Sequence, residues 1–66
     1  MIREHERVVL TDDLLEQGLT AGDVGTVVHV HAGGKGFEVE FVTLSGETAA
    51  VVTLNASQVR SVHKRE

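Results

Sequence analysis

The stretch Phe37–Leu44, FEVEFVTL, decides the fold. Phe37, Val39 and Phe41 stand at every second position, and glutamates fill the positions between them. Because successive side chains of a β-strand point to opposite faces, this pattern predicts a strand with one face in the core and the other in water. The neighbouring strands can be placed by pairing them with this one.

The next two residues, Ser45-Gly46, predict a two-residue hairpin turn, since glycine tolerates the positive φ that such turns require. This turn predicts the pairs Phe41 with Ala50, Val39 with Val52, and Phe37 with Leu54. All of these residues are apolar, so the predicted register brings a continuous apolar surface together on the core face.

The preceding strand is predicted at Thr26–His31, with Gly33–Gly36 as a four-residue hairpin loop. The predicted pairs are His31 with Glu38, Val30 with Val39, His29 with Glu40, and Val28 with Phe41. If this strand slipped by one residue relative to the next, the histidines would face the core. Burial of one face of the sheet should therefore specify this register.

A first strand, Arg7–Thr11, precedes a long loop, Asp12–Asp23. Within the loop, Asp13 and Glu16 have the spacing of a capping box, which predicts one helical turn ended by Gly18.

Near the end of the chain, Asn55–Gln58 predicts a tight or 3-10 turn, and Val59–Val62 predicts a short last strand. We expect residues 63–66 to form a frayed tail. The sequence therefore predicts an all-β fold: one domain over residues 1–66, a small SH3-like barrel of about five antiparallel strands with one long loop and a single helical or 3-10 turn.

Size and composition limit the classes of function. A chain of 66 residues has a small core, and the absence of cysteine excludes disulfides and thiolate metal sites. Self-association or docking on another protein is therefore expected to add stability. The net charge of −4 disfavours nucleic acid and anionic membranes as partners. The charged start, MIREHERVVL, and the lack of a long apolar run predict a cytoplasmic protein.

The segments RVVLT, GLTAGDVGTVV, GGKGFEVEF and VVTLNASQV resemble a family of small bacterial proteins that is described only as a domain of unknown function. The resemblance runs from about Arg7 to Val62. It implies a stand-alone SH3-like barrel, with a strand-exchanged dimer as one possible form, and it supplies no catalytic residues. A looser resemblance, confined to Ala21–Val30, relates GDVGTVV to the KOW motif of ribosomal and transcription-elongation barrels.

The glycines do not indicate a phosphate site. Gly22 and Gly25 lie where the long loop enters a strand, whereas a phosphate-binding loop normally opens a helix. We interpret them as positions that need positive φ or close backbone approach. The segment Gly33–Gly36 lacks the Ser or Thr and the helix that follow a Walker loop.

The predicted register gathers His29, His31, Glu38 and Glu40 on the outer face. Imidazole and carboxylate are both zinc ligands, so these four residues are the candidates for a metal site. The alternative is two solvated cross-strand pairs, each contributing at most several tenths of a kcal/mol, and a flat strand face favours that alternative. The sequence shows no nucleophile–base pair, so we expect no enzyme, no cofactor and no small-molecule substrate.

The same register leaves four apolar side chains on the outer face: Val27, Val42, Ala49 and Val51. Apolar residues grouped there need a cover. Leu14, Leu15 or Leu19 from the long loop would provide an internal one, and a second copy or another protein would provide an external one.

Three hypotheses of function follow. The first is a non-enzymatic protein–protein interaction module that forms a homodimer through these four residues. The second is a KOW-like nucleic-acid or ribosome-associated accessory protein, which the GDVGTVV stretch and the basic tail favour. The third is the acidic antitoxin or immunity half of a two-gene pair.

Overall fold

The computed structural model describes residues 2–42 and 48–62 of the chain. The turn predicted at Ser45-Gly46 and the tail predicted at 63–66 lie outside these residues. Five strands are present: β1 Arg7–Leu10, β2 Val24–His31, β3 Gly36–Val42, β4 Thr48–Asn55 and β5 Val59–Ser61. Two 3-10 turns, Leu15–Gln17 and Ala56–Gln58, lie in the long loop and before β5.

The predicted all-β class is confirmed. The strands form one open antiparallel sheet in the order β4-β3-β2-β1-β5. The meander β2–β3–β4 occupies one side, and β5 returns beside β1, which is the strand order expected of an SH3-like fold. Within the described residues, no helix is long and apolar enough to cross a membrane.

The core lies on the inward face of this sheet. Its buried side chains are Val8, Leu10, Leu19, Val27, Phe37, Val39, Phe41, Leu54 and Val59. Every strand contributes at least one of them, so burial of apolar surface from all five strands stabilises the sheet.

The β3–β4 register is confirmed. The observed pairs include Phe41 with Ala50, Val39 with Val52, and Phe37 with Leu54. The register shifts by one residue between Phe41 and Val42, so Val42 pairs with Thr48. The alternation in FEVEFVTL therefore predicted correctly which residues of β3 enter the core.

The predicted β2–β3 register is wrong. The observed pairs are Gly25 with Phe41, Thr26 with Glu40, Val27 with Val39, His29 with Glu38, Val30 with Phe37, and His31 with Gly36. One cause is a β-bulge between Val27 and His29, where Val28 is an extra residue with no partner.

The other cause is the position of the hairpin loop. The left-handed residues of this turn are Ala32, Gly33 and Gly34, with φ of 49°, 69° and 108°. The turn therefore starts at Ala32 and ends before Gly36, one residue earlier than predicted.

The helical turn predicted in the long loop is present, and Gly18 ends it in the left-handed conformation with φ of 74°. The predicted capping box is wrong. Leu14 is the N-cap residue and makes no side-chain capping bond. The Asp13 carboxylate instead accepts a hydrogen bond from the Ala21 backbone N–H at 2.9 Å, which ties the start of the loop to its end.

The turn predicted at Asn55–Gln58 is confirmed, and it carries a capping box. The Asn55 side chain accepts from the Ser57 N–H, and the Gln58 side chain accepts from the Asn55 N–H. This reciprocal pair satisfies two backbone donors at the point where β4 ends and the chain crosses to β5.

Candidate functional site

The outward face of β2, β3 and β4 carries a polar cluster of four residues: His29 and His31 on β2, Glu38 on β3, and Thr53 on β4. The pairing of His29 with Glu38 and of Glu38 with Thr53 sets three of them side by side across the strands. His31 lies two residues beyond His29, so its side chain points to the same face.

Glu38 is the centre of this cluster. Its Oε2 atom accepts a hydrogen bond from His31 Nε2 at 2.8 Å and another from Thr53 Oγ1 at 2.9 Å. The His29 and His31 rings pack edge to face, with their centroids 4.6 Å apart. His29 Nδ1 also lies 3.6 Å from a carboxylate oxygen of Glu4, which precedes β1.

The hydrogen bonds from His31 and Thr53, with smaller contributions from the nearby imidazole charges, lower the pKa of Glu38. Each bond favours the ionised carboxylate. A general acid needs the opposite shift, toward neutral pH. The cluster therefore holds Glu38 as an ionised acceptor, in contact with water, and does not prepare it to give up a proton.

The four residues named as candidates for a metal site, His29, His31, Glu38 and Glu40, do not come together. Glu40 pairs with Thr26 and Val51, away from the two histidines. Within residues 2–42 and 48–62, no group of three or more His, Asp or Glu side chains is arranged to hold a metal ion. The position of the hairpin loop is the physical reason, because the turn starts at Ala32, one residue earlier than predicted, and so sets His29 opposite Glu38 instead of Glu40.

The predicted outer apolar row needs one correction. Val27 is fully buried, and its place on the outer face is taken by Val24, whose side chain is 51% exposed. Val42 and Val51 are on the outer face as predicted, at 52% and 55% exposed. The side chain of Ala49 lies outside the described part of the structure. We refer to Val24, Val42 and Val51 as the valine row.

The bulge also explains the exchange of Val27 for Val24. Before the extra residue, Gly25 and Val27 face inward, so Val24 and Thr26 face outward. The strand was predicted to begin at Thr26, so Val24 belonged to no predicted strand. The signal that could have revealed it is the alternation along the strand, which puts Val24 and Thr26 on one face and Gly25 and Val27 on the other.

The internal cover proposed for the row is wrong in this structure. Leu19 is buried in the core, and Leu14 packs against that core. Leu15 is 75% exposed. Leu14 and Leu19 also form an isolated antiparallel bridge, so the two leucines that face the core are tied together within the loop.

The interpretation of Gly22 and Gly25 is confirmed. Gly22 has φ of 100°, which disfavours any residue with a side chain. A Cβ at Gly25 would lie 2.6 Å from Val39 Cγ1 and 2.9 Å from Phe41 Cε2. One glycine turns the chain into β2 and the other allows β2 to approach β3, so neither role requires a ligand.

The model of the family described as Domain of unknown function (DUF4926) matches residues 4–61. No curated protein and no solved structure shows a significant match to the chain. The family match extends from the segment before β1 to the end of β5, so it covers the complete sheet and the outward face described above.

Proposed function

We propose that this chain, which belongs to the DUF4926 family, is a non-enzymatic interaction module that self-associates through the β3–β4 side of its sheet. The observation that carries this proposal is the exposure of Val42 and Val51 on the outward face, each more than half accessible to water. Neither the long loop nor another described segment buries them.

The energetic argument is the small size of the core. Nine buried side chains stabilise the described fold, and a core of this size rarely supplies more than about 3–5 kcal/mol. Removing apolar surface from water yields about 25 cal/mol per Å². Burial of exposed valines against a second copy therefore adds stability that the single chain lacks.

The polar cluster on the same face supports a binding role over a catalytic one. Glu38 is ionised and hydrogen-bonded to His31 and Thr53, and its pKa is shifted away from that of a general acid. Such a cluster suits the polar rim of an interface, which stays partly accessible to water. We propose no cofactor for it.

The KOW-like alternative loses its main support. Gly22 and Gly25 have conformational roles in the fold, so the GDVGTVV stretch does not require a nucleic-acid contact. The net charge of −4 opposes binding to a phosphate backbone. The residues of the chain therefore support the interaction module better than the KOW-like protein.

Val51→Asp tests the proposal, with Val62→Asp as its matched control. Both positions carry an exposed valine, but Val62 follows β5 at the other end of the sheet. Multi-angle light scattering should give twice the chain mass for the wild type and for Val62→Asp, and one chain mass for Val51→Asp. A wild type that is monomeric at high concentration would contradict self-association.

A further inference from the structure

We propose that the second copy joins along the free edge of β4, so that two β4 strands pair antiparallel and the two sheets become one. This inference rests on the proposed self-association and assigns it to a strand edge, so that of the two exposed valines only Val51, on β4, lies in the contact, while Val42, on β3, stays outside it. It differs from a face-to-face dimer, in which the two valine rows would cover each other.

The two ends of the sheet differ in how well they are protected. An edge strand offers unpaired N–H and C=O groups, and natural proteins block such edges with short strands, charges, proline or bulges. At one end, β5 is three residues long and contains Arg60. At the other end, β4 is eight residues long, with the sequence TAAVVTLN and no charge, proline or glycine.

Hydrogen bonds in the ladder identify which groups of β4 point outward. The Val27 N–H donates to the Glu6 carbonyl at 2.9 Å, so the backbone groups of Val27 point toward β1. Those of the preceding residue, Thr26, point toward β3 because bonding directions alternate along a strand. Thr26 pairs with Glu40, so the backbone of Glu40 points back to β2.

The same alternation continues into β4. Since Glu40 bonds to β2, its neighbour Val39 bonds to β4, where its partner is Val52. The backbone groups on either side of Val52, those of Val51 and Thr53, therefore point to the free edge. Within the described residues, no backbone hydrogen bond outside the strand ladders involves either of them.

The free edge ends at Asn55. Its N–H also lies on the outward side by alternation, but it donates to the Gln58 side chain at 3.0 Å. The capping box thus satisfies this donor within the chain, and the outward N–H groups that have no partner among the described residues are those of Val51 and Thr53.

A second copy can occupy this edge without bringing like charges together. Each chain carries a net charge of −4, so two copies repel except where a contact avoids their charges. β4 is such a contact, because eight consecutive residues are uncharged. In an antiparallel pair related by a two-fold axis, Val51 and Thr53 meet the same neutral residues of the other copy, and no like charges are set opposite each other.

Burial also favours an added strand. The inward residues of β3, including Val39 and Phe41, are fully buried, whereas Ala50 and Val52 on the inward side of β4 are only partly buried. Val52 packs against the core at the side where β4 ends the sheet. A second β4 beside the first would place another apolar strand next to Val52 and extend the cover of the core.

Thr53→Pro tests the edge, with Thr53→Val as its matched control. Proline removes the outward N–H and is tolerated at edge positions that make no ladder bond. Both variants lose the hydrogen bond from the Thr53 hydroxyl to Glu38. They differ in the backbone N–H of residue 53, which valine keeps and proline lacks. By light scattering, Thr53→Pro should show a twofold lower mass, and Thr53→Val should keep the mass of the wild type.

Val42→Asp separates this inference from the broader proposal, because Val42 lies on the face of β3 and not on the edge of β4. Edge pairing predicts that Val42→Asp stays dimeric. A dimer that is lost in Val42→Asp but kept in Thr53→Pro would overturn edge pairing and leave self-association standing. A wild type that is monomeric throughout would overturn both.

Amide exchange of the wild type gives a second measurement that needs no folded variant. In an edge-paired dimer, the amides of Val51 and Thr53 should exchange slowly at high concentration and faster on dilution, because their bonds form only between copies. Free exchange at both amides while the protein is dimeric would contradict the inference.

Discussion

Gly25 lies on the inward face of β2, where β3 leaves no room for a side chain. A Cβ there would meet Val39 Cγ1 at 2.6 Å, Phe41 Cε2 at 2.9 Å and the Glu40 carbonyl oxygen at 3.0 Å. Val39 and Phe41 are buried and have little freedom to move. The methyl group of alanine would therefore overpack the core.

We expect Gly25→Ala to lower the free energy of unfolding by about 1–3 kcal/mol, the usual cost of overpacking. Urea unfolding monitored by circular dichroism measures it. Gly36→Ala is the control, because its nearest contact would be the Leu54 carbonyl oxygen at 3.6 Å, an ordinary distance. Equal stabilities for the two variants would contradict this account of Gly25.

Glu38 gives the fold a dependence on pH. Hydrogen bonds from His31 and Thr53 lower the pKa of Glu38 in the folded state. The folded protein therefore binds this proton less readily than the unfolded chain does. The stability that Glu38 contributes is present above its unfolded pKa and is lost as the pH falls through its folded pKa.

The matching prediction is that His31→Ala raises the pKa of Glu38 toward that of an ordinary glutamate. Removing the imidazole removes the largest cause of the shift, while the bond from Thr53 remains. Carbon-13 NMR of the Glu38 carboxyl, followed through an acid titration, measures the change. His5→Ala is the control, since His5 is not among the groups that perturb Glu38. An unchanged titration in His31→Ala would show that the hydrogen bond does not form in solution.

The bulge in β2 is one of the two features that separate the sequence-based register from the observed one, and it decides which face each residue of β2 takes. With Val28 as the extra residue, Val27 faces the core, His29 faces outward, and Val30 packs against the core again. If Val28 is deleted, the remaining residues alternate without interruption and each keeps its face. If Thr26 is deleted, Gly25 and Val27 become neighbours and one of them must turn outward.

We therefore expect deletion of Val28 to cost about 1 kcal/mol, near the centre of the range for single changes, and deletion of Thr26 to cost several times more. Urea unfolding compares the two variants, and amide NMR spectra check that β2 still pairs with β3. If the deletion of Val28 were the more damaging of the two, the bulge would be needed for the curvature of the sheet as well as for its register.

The two hairpins show how far the sequence determines strand pairing. In β3, glutamates stand at every second position and must face water, so the apolar residues between them must face the core. This assignment made the pairing of Val39 with Val52 predictable. In β2, Val27 and Val28 are both apolar, and either one can be the inward residue. Contacts with β1 and β3 decide between them, and those contacts are not local in sequence.

The position of the hairpin loop changed the pairing at the site. His29, His31 and Glu38 were placed together on the outer face, although in a different pairing from the observed one. Thr53 was missed because its hydroxyl contributes only once the strands are paired. Val24 was missed because the predicted start of β2, Thr26, is two residues later than the observed start, and the valine row includes a residue from the part of β2 that was not predicted.

At the scale of the whole molecule, the sheet is open and its two ends are unlike. The chain protects the β5 end by shortness and charge and leaves the β4 end long and neutral. Val51 belongs to both features that suggest association, since its side chain is in the valine row and its backbone groups lie on the free edge. Stability and association are therefore expected to be coupled in this protein.

That coupling predicts a thermal unfolding midpoint that rises with protein concentration. When a folded dimer unfolds to two chains, a tenfold increase in concentration adds about 1.4 kcal/mol per dimer to the apparent stability. For a domain of this size, a change of 1 kcal/mol shifts the midpoint by about 4–8 °C, so several degrees per tenfold are expected. Calorimetry over a hundredfold range of concentration measures this shift. Val51→Asp should show a constant midpoint, and a constant midpoint for the wild type would mean that the single chain is stabilised by its own small core alone.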